Sequence, residues 1–191
     1  MIDPILRDEA RNMTREIAVL HAAAMLGHLP KIIVETETGR GPEMFGTVYL
    51  GDIAKRSGGR LVTVDLDPQV TAYAKREAPA DLHGAIEFVT MDSRAYFASL
   101  PSPKGIELLF LDSAYDAALI LSEAEAAMHH LADECAVVID DCERGKAGER
   151  GKGTLAIPYL QSLGFRVKYF SGGKKTVAVL WRTEWAKETP S

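Results

Sequence analysis

Lys31–Pro68, KIIVETETGRGPEMFGTVYLGDIAKRSGGRLVTVDLDP, is the stretch on which the fold turns. An apolar run, Ile32–Glu35, ends in an acid, and a turn with glycines at Gly39 and Gly41 follows. A helix-compatible segment, Phe45–Arg56, comes next, and then a second apolar run that closes on Asp65. Strand, glycine turn, helix, strand and terminal carboxylate are the parts of a ligand-binding β–α–β unit. Pro68 suits the first position of a further helix, which makes Asp67 its natural cap.

The same alternation continues outward from this unit. Short apolar runs recur at Ile86–Thr90, Leu108–Asp112 and Ala136–Asp140, without clean polar alternation. Such runs fit strands covered on both faces. Helix-compatible segments lie between them at Gln69–Glu77, Ala95–Leu100 and Ala117–Leu131, which predicts a doubly wound α/β sheet. Phe165–Phe170 and Thr176–Trp181, joined through Ser171-Gly172-Gly173-Lys174, predict an antiparallel pair. The expected sheet is therefore mostly parallel, with one reversed strand near its edge. Ahead of it, Ile5, Ile17, Leu20, Ala24 and Leu26 space as one or two amphipathic helices that stop at Gly27 and Pro30. One domain is expected: an N-terminal helical segment over 1–30, an α/β core over 31–181 and a tail over 182–191.

Composition narrows the function classes. A chain of 191 residues can bury roughly 70% of its unfolded surface in one domain. Hydrophobic residues at 47% and charged residues at 26% fit a globular chain. The formal net charge of -5 disfavours broad binding to nucleic-acid backbones. The charged N-terminus lacks the apolar core of a signal peptide, and no run approaches the roughly 20 apolar residues of a membrane span. Cys135 and Cys142 do not form a CxxC pair, and Cys135 reads as a small core residue. A cytoplasmic protein with no membrane or nucleic-acid partner is the expectation.

The acids carry the functional signal. Glu35, Asp65, Asp112 and Asp140 close four of the parallel-strand candidates, and Asp92 follows the other by two residues. Ligands in open α/β sheets bind beyond the carboxyl ends of the strands, so five acids would share one rim. Any one of them could instead cap a following helix. Asp65 has the position from which a carboxylate accepts both hydroxyls of a ribose. A dinucleotide fits poorly: the sixth position counted from Gly39 is Met44, and the next glycine is Gly46. Glu35 before the turn suits a ligand carrying an ammonium group.

Glu35, the turn TETGRG, Asp65 in VTVDLDP, Asp92 in FVTMDS and Asp112 in LLFLDSAYD together resemble the class I S-adenosylmethionine-dependent methyltransferases. The final pair, GFRVKYF and TVAVLWR, is similar to that family's reversed seventh strand, and the small catechol-type O-methyltransferases look closest. The resemblance implies a seven-stranded Rossmann-like sheet that binds S-adenosylmethionine. Glu35 and the backbone at Gly39 and Gly41 would hold the methionine part, Asp65 the ribose, and Asp92 with Ser93 would lie near the adenine. Asp112 would stand at the catalytic mouth. In metal-dependent relatives an Asp-Asn dipeptide follows the fifth strand; here that place reads Asp140-Asp141-Cys142. Asp112 with Asp140 or Asp141 would then bind Mg2+ or another divalent cation. Without metal, Asp112 or Asp141 would serve as general base. The implied reaction is O-methylation of a small-molecule acceptor; a methyltransferase-like binding protein and a different enzyme on this scaffold are the alternatives.

Glu37 departs from the family, many of whose members carry glycine there because cofactor and backbone approach closely. The segment Glu143–Thr154 lacks phosphate-loop spacing and reads as a solvated loop or lid, with Lys146, Arg150 and Lys152 available to an acidic substrate. The N-terminal helices would cover the substrate side or form a homodimer contact. His129 and His130 read as helix-end residues, and Trp181 and Trp185 as packing residues.

Overall fold

In the computed structural model, β1 (Ile32–Thr36) lies between β2 (Arg60–Asp65) and β4 (Ile106–Leu111), with Val34 level with Val62 on one side and Leu109 on the other. The structure describes residues 4–39, 44–101, 105–145, 148–172 and 175–183. β3 (Ile86–Thr90) joins outside β2, and β5 (Leu131–Gly145) outside β4, all parallel. β8 (Lys175–Arg182) runs antiparallel to both β5 and the edge strand β7 (Arg166–Gly172), so the order is β3-β2-β1-β4-β5-β8-β7. A further strand, β6 (Gly148–Gly151), pairs only with β5. The chain leaves β1 in one direction for β2 and later returns to its other side for β4. The carboxyl ends of β1 and β4 thus form a topological switch point, where such sheets take ligands.

Both faces of the sheet are covered, which is why its strands lack alternation. Val34, Val64, Leu111, Val137 and Ile139 point toward α4 (Ser93–Ser99), α5 (Ala117–Ala127) and α6 (Gly153–Ser162), packing with Phe97, Ile120 and Ile157. Ile33, Leu61, Leu108, Phe110 and Val138 face the other way, toward α1 (Pro4–Leu26) and α2 (Phe45–Ser57). α3 (Pro68–Glu77) begins as expected, its cap Asp67 accepting from the Gln69 N–H. Where α2 turns into β2, a Cβ on Gly59 would lie 1.9 Å from the Lys31 carbonyl oxygen, so only glycine fits.

Three details differ from the sequence expectation. The N-terminal segment is a single helix, one of the two expected forms, but its inner face keeps Leu26 and turns Ile17 and Leu20 outward, against the apolar spacing. Ile17 and Leu20 are exposed, while Thr14, Arg15, Ala18, Val19, Ala22 and Ala23 are buried, because small side chains let α1 approach the sheet closely. α4 starts at Ser93, and α5 ends at Ala127 in a 3-10 turn over Met128–His130. The third concerns Glu143–Thr154. β5 runs beyond the sheet rim and pairs Cys142–Gly145 with β6, so much of the expected loop is a hairpin leading into α6. The register of β5 against β8 shifts between Ile139 and Cys142, and Asp141 has φ +50°. That bulge turns consecutive acids out of the regular ladder.

Candidate cofactor and catalytic site

Beyond the carboxyl ends of β2, β3 and β4 lies a cavity of about 380 Å³, bordered by Glu37, Asp65, Leu66, Met91, Ser93 and Glu123 among others. Its size is that of a small-molecule site. Asp65 stands in the wall, its Oδ2 accepting the Thr38 N–H at 3.1 Å and its Oδ1 the Asp67 N–H at 2.8 Å. These bonds fix the orientation of the Asp65 carboxylate at the cavity wall. Asp92 caps α4 through the Arg94 and Ala95 N–H groups, and the Arg94 guanidinium bound to it holds its carboxyl down at about 2.

Sequence reasoning missed Glu123. This acid on α5 is fully buried, yet Thr36 Oγ1 donates to it at 3.2 Å and Ser113 Oγ at 2.6 Å, and Ser93 Oγ also donates. It therefore joins the end of β1, the start of α4 and the segment after β4 at the cavity wall. Burial raises its pKa. A signal was present: Ile120, Glu123, Ala124 and Ala127 share the buried face of α5 at helical spacing.

Glu35 lies deeper, 3% exposed, with its Oε2 accepting from Thr47 Oγ1 and Thr63 Oγ1, each at 2.7 Å. Thr47 Oγ1 in turn accepts the Gly39 N–H at 3.2 Å, so the acid braces the turn after β1 against α2 and β2. Burial pushes the Glu35 carboxyl up to about 7, against the pull of its two threonine donors. Glu37 opens that turn with φ +71° and donates its N–H to the Val64 carbonyl at 2.8 Å. Its backbone is in the left-handed region that glycine adopts freely. Gly41 and Arg40 lie outside the described residues.

The remaining acids meet where β4 and β5 end. Asp112, Asp140 and Asp141 each present a carboxylate oxygen within 4.8 Å of the others. Two side-chain cations bridge them. Arg15 Nη2 donates to Asp112 Oδ2 at 2.6 Å, while Arg15 Nε donates to Asp140 Oδ2 at 2.9 Å and Nη2 also reaches that oxygen. Lys152 Nζ donates to Asp112 Oδ1 at 2.8 Å and to the Asp112 carbonyl at 2.6 Å, and lies 3.9 Å from Asp141 Oδ2. Lys152 is thus a buried partner of the acids, not a lysine on a solvated loop. Gly151, at φ +70°, makes this possible, since a Cβ there would lie 2.4 Å from the Asp141 carbonyl oxygen. The donor set would suit a hard divalent ion, but the cationic groups already on these oxygens do not fit one as a resident group. Burial and the neighbouring Asp140 raise the Asp112 pKa to about 6, although Arg15 and Lys152 oppose the shift. Trp181 packs edge-on against His21, in keeping with a packing role; Trp185 falls outside the described residues.

Comparison with known proteins gives this geometry a family. A family model described as a methyltransferase domain matches residues 38–142. The chain is similar in structure to cofactor-bound Rv0187 from MTB, with TM-score 0.64 and 19% identity over 88% of this chain and 79% of that one. It is similar to the O-methyltransferase from Bacillus cereus in complex with SAH, with TM-score 0.63 and 13% identity over 95% and 83%. It also resembles the O-methyltransferase TomG from Streptomyces achromogenes in complex with SAM, with TM-score 0.61 and 17% identity over 88% and 79%. No curated protein sequence matches it. With more than half its length matched and with the strand order and reversed strand of that fold, the chain belongs to the methyltransferase-domain family, as a class I S-adenosylmethionine-dependent methyltransferase.

Proposed function

We propose that the protein methylates a hydroxyl oxygen of a small molecule, and that its catalytic mouth works without a resident metal. The observation that carries this reading is the cavity of about 380 Å³ with Asp65 in its wall, set beside the acids of β4 and β5. Its volume and mixed apolar and acidic lining suit an adenosine group. Asp65 would accept the ribose hydroxyls, and Ser93, with Asp92 behind it, would border the adenine. Glu35 and the turn at Gly39 would hold the methionine end. S-adenosylmethionine, when bound, supplies an electrophilic methyl group on its sulfonium.

The chain's own residues have the remaining tasks. They align the acceptor oxygen with the methyl group, which alone accounts for much of the acceleration in such displacements. Asp112, with its carboxyl near 6, is able to take the hydroxyl proton at neutral pH. Asp141 is the second candidate base. The negative net charge favours a small acceptor over nucleic acid. None of the described helices is long and apolar enough to cross a membrane.

Calorimetric titration with S-adenosylmethionine and S-adenosylhomocysteine, with and without magnesium, tests the reading. Binding of both, unchanged by magnesium and lost in Asp65→Ala, is the expected result. Binding of neither ligand under any condition sinks it. Binding without turnover across hydroxyl, amine and thiol acceptor panels would favour a binding protein on this fold.

A further inference from the structure

Arg15 comes from α1, outside the α/β core, and lies on the helix face that Ala18, Val19 and Ala22 press onto the sheet. One turn before those alanines, that face reaches the ends of β4 and β5, where the Arg15 guanidinium joins Asp112 to Asp140. Lys152, at the start of α6, closes the other side of Asp112 and stands beside Asp141. Both cationic side chains are about 5% exposed or less, so neither is a passing surface contact.

We propose that Arg15 and Lys152 are built-in counter-ions that replace a divalent metal at the Asp112–Asp140–Asp141 cluster, and that removing them uncovers a divalent-cation site. The acids retain the oxygen donors that such an ion requires. What excludes it is charge: an ion bound to Asp112 would sit against a guanidinium and an ammonium in a buried, weakly screened place. The positive charge that a metal would bring to the mouth is instead anchored to α1 and α6. A metal-free cluster therefore depends on α1 being seated, which ties the N-terminal helix to the site.

The test uses Mn2+ alone, followed by electron paramagnetic resonance and calorimetry, and needs neither cofactor nor acceptor. It is thus independent of whether the methyl-transfer reading holds. The wild-type protein is expected to bind no Mn2+ at millimolar concentration. The Arg15→Met/Lys152→Met variant is expected to bind one ion at least tenfold more tightly than any residual wild-type binding, and to lose it again with Asp112→Asn. If the double variant does not fold, Lys152→Gln takes its place with the same direction of change. Wild-type Mn2+ binding that Asp112→Asn abolishes would overturn the proposal. So would a folded variant that gains no Mn2+ affinity.

Discussion

Arg15 in α1 and Asp140 in β5, 125 residues apart in the chain, meet through the guanidinium Nε at 2.9 Å from Asp140 Oδ2. Asp140 is fully buried, and its neighbours Asp112 and Asp141 are acids as well. Removing the guanidinium leaves buried carboxylates uncompensated, which is a severe loss. Arg15→Ala is therefore expected to destabilise the fold by about 3–5 kcal/mol in urea unfolding. Asp140→Asn in that background should restore part of the loss, because it removes the stranded charge. A strictly additive double variant would show that the two residues do not act as a pair.

How much of this was legible beforehand follows the range of each interaction. The parallel strands were readable because residues such as Val34 and Ile33 are buried on opposite faces, leaving continuous apolar runs. Asp67 was readable as a cap because Pro68 follows it. The contacts of Arg15 were not, since nothing within one turn of it says which sheet rim α1 will meet. Ile17 and Leu20 misled the reading of α1, since burial there favours alanine, whose small side chain permits close helix–sheet contact. The hairpin of β5 and β6 was hidden by the glycines and charges of Glu143–Gly151, a composition that also describes a loop.

Glu37 sits in a left-handed conformation at the edge of the cavity. That backbone costs a residue with a Cβ about 1–2 kcal/mol, part of which glycine returns through its looser unfolded state. Glu37→Gly is expected to stabilise the apoprotein by about 0.5–1 kcal/mol and to tighten S-adenosylmethionine binding. Glu37→Ala removes the charge but keeps the strained backbone, so it separates the causes. Equal calorimetric affinities for the two variants would assign the effect to the glutamate side chain and not to the backbone. Unchanged or weaker binding in Glu37→Gly would refute the placement of this residue beside the cofactor.

Glu123 gathers hydroxyls from three segments of the cavity wall. Truncation strands Thr36, Ser93 and Ser113 together, so Glu123→Ala is expected to lose about 2–4 kcal/mol of stability. Because Ser93 and Ser113 border the cavity, S-adenosylhomocysteine affinity should fall with it, by roughly tenfold, the equivalent of one lost hydrogen bond. Glu123→Gln retains an acceptor oxygen and should keep most of both. If alanine lowers stability but leaves affinity intact, Glu123 supports only the fold.

The buried Glu35 carboxyl is expected to make both stability and cofactor binding depend on pH, in opposite directions. Its folded pKa of about 7 lies above the ordinary 4.5, because burial penalises the charged form. Between those values the native state holds the proton more tightly than the unfolded chain does. The contribution of this group to apoprotein stability is therefore fully present below pH 4.5 and is lost as pH rises through 7. With Glu35 at the ammonium end of the cofactor, as proposed, cofactor binding is expected to run the opposite way, because a nearby ammonium favours the ionised carboxylate. S-adenosylhomocysteine affinity should rise about tenfold from pH 6 to pH 8, with a proton released on binding near the lower end. Calorimetry in buffers of different ionisation enthalpy measures both quantities. Glu35→Gln should flatten the profile and fix affinity at the weaker limit. A rise that persists in Glu35→Gln would assign the titration to another group and remove Glu35 from the ammonium site.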